Sequence, residues 1–543
     1  MSKINTKTVN RGPVSPMTST VVPGVRTYGG GQGAVSDKRT ELFRLGANLF
    51  YGEKTYYEKG DDRNKRFTDL VETLAVYDPI WTMKFLIWLR SEANIRTASV
   101  VGAAHFVYAR LNNKGAVAED ELLSSMGMKG MNRHIISEVL SRADEPGEFV
   151  SYWLSKFGKL PKPVKRGISD SVLKLYNEYS VLKYNTDAYS VKFSDVLNLT
   201  HVKPSKPWQG ALFSFIISKR YGSDTDTSLL PMISANQSLR ADAAKDVKAL
   251  LDSDRVKAAG LTWEDVLSLA GTKVAKNKLW ESVIPSMGIM ALIRNLRNFE
   301  QAGISTAVRD LVVNKLTNKE VIEKSRQFPF RFLSAFNETN SLIYHAALEQ
   351  ALEYSTQNIP VFDSSTLVLV DTSGSMDAPI SDKSKMSRAG AAALFGAAVA
   401  AKSPGNVDIV MFASSSKKLT VKPGTSVLKI VEEVNRRNGE VGHGTQTLDA
   451  LQKHFDPNKH KRVFIFTDGQ SFPGHGYYGY GYGVANFNFG SAYVYAFDLA
   501  GYKVTDLPVG KDRKYQLGGL SDATFKLIPM IEDSSDGRWP WDV

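Results

Sequence analysis

The run Ser365-Thr-Leu-Val-Leu-Val370, closing on Asp371-Thr-Ser-Gly-Ser375, constrains the fold more than any other stretch of the chain. Unbroken β-branched and leucine text of this length fits a strand buried on both faces. Such strands belong to parallel sheets covered by helices. The strand ends in a D-x-S-x-S pattern, one carboxylate and two hydroxyls on one short loop. Two later segments extend the set. Gly442-His-Gly-Thr445 reads as a loop, and Val463-Phe-Ile-Phe-Thr467 as a second buried strand ending in Asp468-Gly469. Asp371, Ser373, Ser375, Thr445 and Asp468 together offer hard oxygen ligands suited to one octahedral Mg²⁺ or Mn²⁺, an ion that keeps some water and accepts an outside carboxylate. All five sit at strand C-termini or in the loops that follow, where open α/β sheets place their ligand crevice. A Ser or Asp cap on a following helix would account for the first loop, but not for Thr445 and Asp468.

The text around this motif has three textures. Residues 1–38 are rich in Ser, Thr, Pro and Gly and read as a flexible arm with little to bury. Residues 39–357 read as helical, with apolar positions three and four apart, as in Leu70, Leu74, Ile80, Met83, Leu86 and Leu89. Successive helices without one bundle pattern suggest a HEAT-like solenoid of irregular repeats, which can curve and close into a ring. Residues 358–543 alternate strands (366–370, 407–412, 463–466, 491–497) with helices (387–401, 426–435, 447–454), the signature of a doubly wound parallel sheet. The expected class is therefore an all-helical ring followed by an α/β domain. A Gly/Tyr-rich loop at 472–489 directly follows the Asp468 strand and is expected to overhang the metal site.

Composition narrows the function classes. The chain has 543 residues, enough for two or more cores, and no cysteine. That excludes disulfides, thiolate zinc sites and a cysteine nucleophile. No apolar segment is long enough to span a bilayer and the start is polar, so the expected location is cytoplasmic, without a membrane. The net charge of +12 favours a polyanionic partner.

The D-x-S-x-S … Thr … Asp set resembles the metal-ion-dependent adhesion site of von Willebrand factor A domains. Further phrases resemble the Ro autoantigen family, whose helical ring is the TROVE module, in a bacterial or phage form. They are Tyr57-Glu-Lys-Gly-Asp-Asp-Arg-Asn64, Leu160-Pro-Lys-Pro-Val-Lys-Arg-Gly-Ile168, Leu199-Thr-His-Val-Lys-Pro204, Trp280-Glu-Ser-Val-Ile-Pro-Ser-Met287, Met290-Ala-Leu-Ile-Arg-Asn-Leu-Arg-Asn298, Phe497-Asp-Leu-Ala-Gly-Tyr502 and Gly518-Gly-Leu-Ser-Asp522. The resemblance implies an A domain that closes the ring, Y RNA on the outer surface, and ends of misfolded noncoding RNA in the central hole. It also implies an adaptor that tethers a 3′ exonuclease through RNA and has no catalysis of its own.

Candidate RNA contacts concentrate in one region. Lys159, Lys162, Lys165 and Arg166 surround a Pro-set turn into a helix, with Lys174 two turns on and Lys183 expected at that helix's end. Cations in a first turn oppose the helix dipole, so an anionic partner explains them better than helix stability does. The family resemblance places residues matching His201 and Lys183 at the RNA surface. Lys203 extends the same region, and Arg294 with Arg297, three apart on a helix, could fork onto phosphates or onto carboxylates of a neighbouring repeat. Three function classes remain: a monomeric RNA-binding ring, a metal-dependent docking module with a helical scaffold, and a hydrolase. The hydrolase is weakest, because the sequence offers no second ligand cluster and no general-base constellation around the motif.

Overall fold

The structure is a computed structural model that describes residues 16–542, apart from 187, 383, 404, 423, 474–482, 511–512 and 534–537. Much of the Gly/Tyr-rich loop and the start of the N-terminal arm thus lie outside the described residues. From residue 38 to 355 the described chain is helical, with two short 3₁₀ turns. Local text sets the helix ends. Asp37 caps the Lys38–Ala47 helix by accepting from the Thr40 amide at 2.8 Å. Pro79 occupies the first turn of the Pro79–Ser91 helix and separates it from Gly60–Tyr77. That restart rotates the apolar face: Leu70, Leu74, Leu86 and Leu89 are buried, but Ile80 is exposed. Neighbouring helices pack as pairs. Val164, Ile168 and Val172, spaced by four, form the buried stripe of the Lys162–Leu175 helix. A Cβ at Gly167 would stand 2.8 Å from Ile136, so glycine there permits the close approach of the Met131–Val139 helix.

The second half is an α/β domain. Its strands are β3 (Thr366–Asp371), β4 (Val407–Phe412), β5 (Ser416–Leu419), β6 (Arg462–Thr467), β7 (Tyr493–Asp498), and β9 (Lys514–Gly518), in the order β5-β4-β3-β6-β7-β9. All pairs are parallel except β4 with β5. The chain runs from β3 outward through β4 and β5, then returns to the other side of β3 as β6. The order therefore reverses between β3 and β6, and the ligand crevice of such a sheet lies there, at the carboxyl ends.

The expected arm of residues 1–38 is not a free arm over its described part. Strands β1 (Ser19–Arg26) and β2 (Gln32–Ser36) form an antiparallel hairpin, and β2 pairs with β8 (Val504–Thr505) of the A domain. The Ser/Thr/Gly text hid two short strands that gain their stability from an edge formed almost five hundred residues later in the chain.

The ring closes through three sets of contacts. The first helices clamp the loop after β7. From the last residue of β7 onward, five successive carbonyls are each taken by a side chain, four of them from the first helices: Asp498 O by Asn48 at 2.9 Å, Ala500 O by Arg63 at 2.7 Å, Gly501 O by Arg66 at 2.8 Å and Tyr502 O by Arg44 at 2.7 Å, while Arg388 of the α/β domain itself takes Leu499 O at 3.2 Å. The last helices hold the other side, where Lys402 donates to Thr356 O and Ile359 O at 2.6 and 2.9 Å. First and last repeats also meet directly, Asn94 donating to Arg326 O at 3.0 Å.

Candidate metal centre and nucleic-acid interface

The crevice between β3 and β6 gathers the five expected ligands. Asp371 ends β3, and Asp468 follows β6. Asp371, Ser373, Ser375, Thr445 and Asp468 are all buried. The Ser373 amide donates to Asp371 Oδ1 at 2.9 Å, and the Ser373 and Ser375 hydroxyls are 3.4 Å apart. The Gly374 amide donates to His443 O at 2.9 Å, and the Phe472 amide to Thr445 O at 2.8 Å, which ties the Thr445 loop to both strand ends. Asp468 accepts from the Gln470 amide at 3.1 Å on Oδ1, while its buried Oδ2 has no hydrogen-bond partner.

Electrostatics explain what this arrangement lacks. Burial raises the pKa of Asp371 against the opposing pull of Thr467 and Ser373. Burial, and then the charge of Asp371, raises Asp468 as well. Burial also pushes Asp506, behind Ser471, up to about 6. Two desolvated carboxylates beside each other, one with an unpartnered oxygen, are costly unless a cation balances them. With hydroxyls alongside, the donor set fits a hard divalent ion. Among the described residues no group of three or more His, Cys, Asp or Glu side chains could hold a metal, so any such site here depends on hydroxyl ligands.

Three neighbours escaped the sequence reading. Thr467 donates to Asp371 Oδ2 at 2.6 Å. Gln470 donates to Asp468 O and Val504 O at 3.2 and 2.8 Å, and accepts from the Tyr28 amide at 2.8 Å. Tyr57, between the first two helices, lies beside Ser375; burial, then the Asp468 charge, raises its pKa. Thr467 and Gln470 adjoin motif residues and could have been suspected. Nothing local marks Tyr57.

The basic residues divide. Lys159, Lys162, Lys165 and Arg166 lie around the N-terminus of the Lys162–Leu175 helix and make no ion pair among the described residues. The Trp153 indole donates to Lys159 O at 3.1 Å and fixes the turn. Lys174 instead donates to Ser137 O at 3.0 Å, a structural contact between paired helices. Lys183 does not end that helix. It sits on a separate helix, Glu178–Tyr184, over the rings of Tyr179 and Tyr184 at 5.4 and 5.2 Å. His201 is the left-handed C-cap of Phe193–Thr200, at φ 51°, and is exposed beside exposed Lys203. Gln209, just beyond, donates to Leu173 O at 2.9 Å, which sets the His201–Lys203 turn near the far end of the Lys162–Leu175 helix. A helix of that size is about 20 Å long, so the expected set forms two patches and not one.

A third basic surface lies at the seam between first and last repeats. An open cavity of about 780 Å³ there is bordered by Arg96, Arg294, Arg297 and Arg331, with Glu53 and Glu338. Arg96 is tied to Asp144, Glu145 and Glu148, and Arg297 lies 3.6 Å from Glu338. Arg294 makes no ion pair among the described residues. Burial, and then the charge of nearby Arg294, depresses the pKa of Arg331.

Comparison with known proteins agrees with this architecture. A family model described as the TROVE domain matches residues 253–377, the last part of the helical region and the first strand of the α/β domain, and one described as the von Willebrand factor type A domain matches residues 366–470. Telomerase protein component 1 of Mus musculus is 41% identical over 83 residues, which are 15% of this chain and 3% of that protein. The Rattus norvegicus protein of the same name is 40% identical over 83 residues, again 15% and 3%. The chain thus spans only 3% of the length of these curated relatives. The crystal structure of the Deinococcus radiodurans RO (RSR) protein aligns at a TM-score of 0.60 with 15% identity, over 91% of this chain and 99% of that one, a likeness of fold.

Proposed function

We propose that this chain, which carries TROVE and von Willebrand factor A domains on the fold of a Ro protein, is an RNA-binding ring. Its ligands on this reading are noncoding RNAs, a Y-like RNA on the outer basic surface and 3′ ends of misfolded RNA at the ring opening. It acts in RNA quality control as a monomeric cytoplasmic scaffold that tethers a 3′ exonuclease through RNA, with no catalysis of its own. The observation that carries the reading is the group of cations at Lys159, Lys162, Lys165 and Arg166 that make no ion pair among the described residues, on a helix N-terminus whose dipole they oppose. Cations held there without acidic partners are explained by a polyanion supplied from outside. The like charge that Arg294 and Arg331 bring to the seam supports the same reading, since phosphate would offset it. Crosslinking in cells followed by sequencing of the bound RNA tests it. Recovery of noncoding RNA with crosslinks in residues 159–203 is expected, and recovery of no RNA above background would contradict it.

On the same reading Asp371, Ser373, Ser375, Thr445 and Asp468 hold one Mg²⁺ or Mn²⁺. When bound, the ion supplies positive charge to two buried carboxylates. The support is the unpartnered Asp468 oxygen and the elevated pKa of both acids. Calorimetric titration with Mn²⁺ tests this, with Asp371→Asn expected to abolish binding.

A further inference from the structure

A metal site of this type can recruit a partner only if one face of the ion stays open to an outside carboxylate. Here two further segments of the chain lie beside the residues that would hold the ion. Tyr57, on the segment between the Lys38–Ala47 and Gly60–Tyr77 helices, lies beside Ser375 and within reach of the charges of Asp468 and Asp371. Its ring is held on both sides. Tyr28 stacks on it at 4.7 Å and 8°, and Tyr502 meets it edge-on at 5.6 Å. The Tyr57 amide donates to the Tyr502 hydroxyl at 3.3 Å.

Tyr28 belongs to the β1–β2 hairpin turn, which is seated on the residues that follow Asp468. Thr27 Oγ1 donates to Ser471 O at 2.7 Å, the Gly31 amide to the same oxygen at 3.1 Å, and the Tyr28 amide to Gln470 Oε1 at 2.8 Å. The approach is too close for side chains: a Cβ at Gly29 would stand 2.4 Å from Gln470 O, and one at Gly31 2.5 Å from Ser471 O.

We infer that Tyr57 is a further residue of the cation site, and that with the hairpin turn Thr27–Gly31 it shuts the site in cis. The ion then joins the first helices of the ring to the A domain, and it takes no carboxylate from outside. Three segments distant in sequence converge on one crevice: the hairpin turn, the interhelix loop and the two strand ends. No packing requirement of the sheet alone calls for the first two. The inference rests on the reading of Asp371 to Asp468 as a metal site, and it assigns that site a role in holding the ring shut.

The test measures Mn²⁺ affinity and hydrogen exchange of residues 27–31 and 53–59 in the full chain, with and without Mg²⁺. The wild type is compared with Tyr57→Phe, which keeps the stacking but loses the hydroxyl, with Tyr57→Ala, and with Asp371→Asn. In the wild type Mg²⁺ is expected to slow exchange in both segments, and in Asp371→Asn to leave it unchanged. Tyr57→Phe is expected to weaken Mn²⁺ about tenfold, the scale seen when an outer partner of a metal site is lost. Metal-loaded Tyr57→Ala, but not the wild type, is expected to bind an aspartate-containing peptide. Equal Mn²⁺ affinity in wild type and Tyr57→Phe, with exchange at 53–59 indifferent to Mg²⁺, would overturn this inference and leave the metal site standing. Absence of Mn²⁺ binding in every variant would overturn the metal site and the inference together.

Discussion

Asp468 has an oxygen in the protein interior with nothing to accept from, beside a second buried acid. A raised carboxyl pKa means that the folded state holds its proton more tightly than the unfolded chain does. The stability linked to that proton is complete below the ordinary carboxylate range and is lost as pH rises through the raised folded values of Asp371 and Asp468. A bound divalent ion removes the reason for the loss. Without divalent ions the melting temperature should therefore fall between about pH 5 and pH 8, and Mg²⁺ should abolish the fall. Asp371→Asn removes one of the two charges. Measured by thermal denaturation at pH 8 with a chelator present, it should be stabilised by about 1–2 kcal/mol, since one pKa unit corresponds to about 1.4 kcal/mol. The same variant should gain nothing from Mg²⁺. Stability of the wild type that rises across this pH window would contradict the account. The ligands themselves were readable because each belongs to a short contiguous motif at a strand end. Tyr57 was not, since only the closed ring brings it to the crevice.

At the scale of elements, period and punctuation located four central strands and three helices of the α/β domain, and marked the first half as helical. The strand at Val407–Phe412 and the helix at Thr447–His454 occupy the expected residues, because each is bounded by polar or Gly-containing turns. β5 and β9 were missed for a different reason. Ser416–Leu419 and Lys514–Gly518 carry lysines and little β-branched text, and their pairing to β4 and β7 makes them strands. Tertiary pairing of this kind overrides local propensity. Two elements also support quantitative expectations. Alanine at Lys162, Lys165 and Arg166 should reduce the slope of log affinity for single-stranded RNA against log salt by about 2, given about 0.7 per phosphate contact. A filter-binding series across salt concentrations reads this directly, and an unchanged slope would remove these residues from the interface. In the clamp on the loop after β7, Arg63→Ala leaves Ala500 O without its donor and Glu58 with Arg66 alone. Loss of about 3 kcal/mol is expected in denaturant titrations, the scale for breaking a buried charged contact. A loss below about 0.5 kcal/mol, the range of ordinary surface changes, would mean that the clamp does not hold the ring.

For the whole molecule, the ring closes because both ends of the helical region find the same A domain. The first helices hold the carbonyls of residues 498 and 500–502 and the last ones accept Lys402, while Asn94 and Arg326 meet across the seam. The alternation of textures made the two halves legible in the sequence, but their mutual contacts rest on single arginines and an asparagine with no pattern around them. A closed ring with basic surfaces suits a single strand better than a duplex. Phosphates of a strand can follow a charged opening, and unstacked bases offer faces for aromatic and guanidinium contacts. The most direct test of the account is a competition between one hairpin RNA with a free single-stranded 3′ tail and the same RNA with the tail removed, both against the full chain at one salt concentration. The account predicts that the tailed RNA binds at least about tenfold more tightly, since one stacked base contributes about 1–3 kcal/mol. Equal affinity for the two would contradict it, leaving only a basic surface that does not distinguish RNA ends.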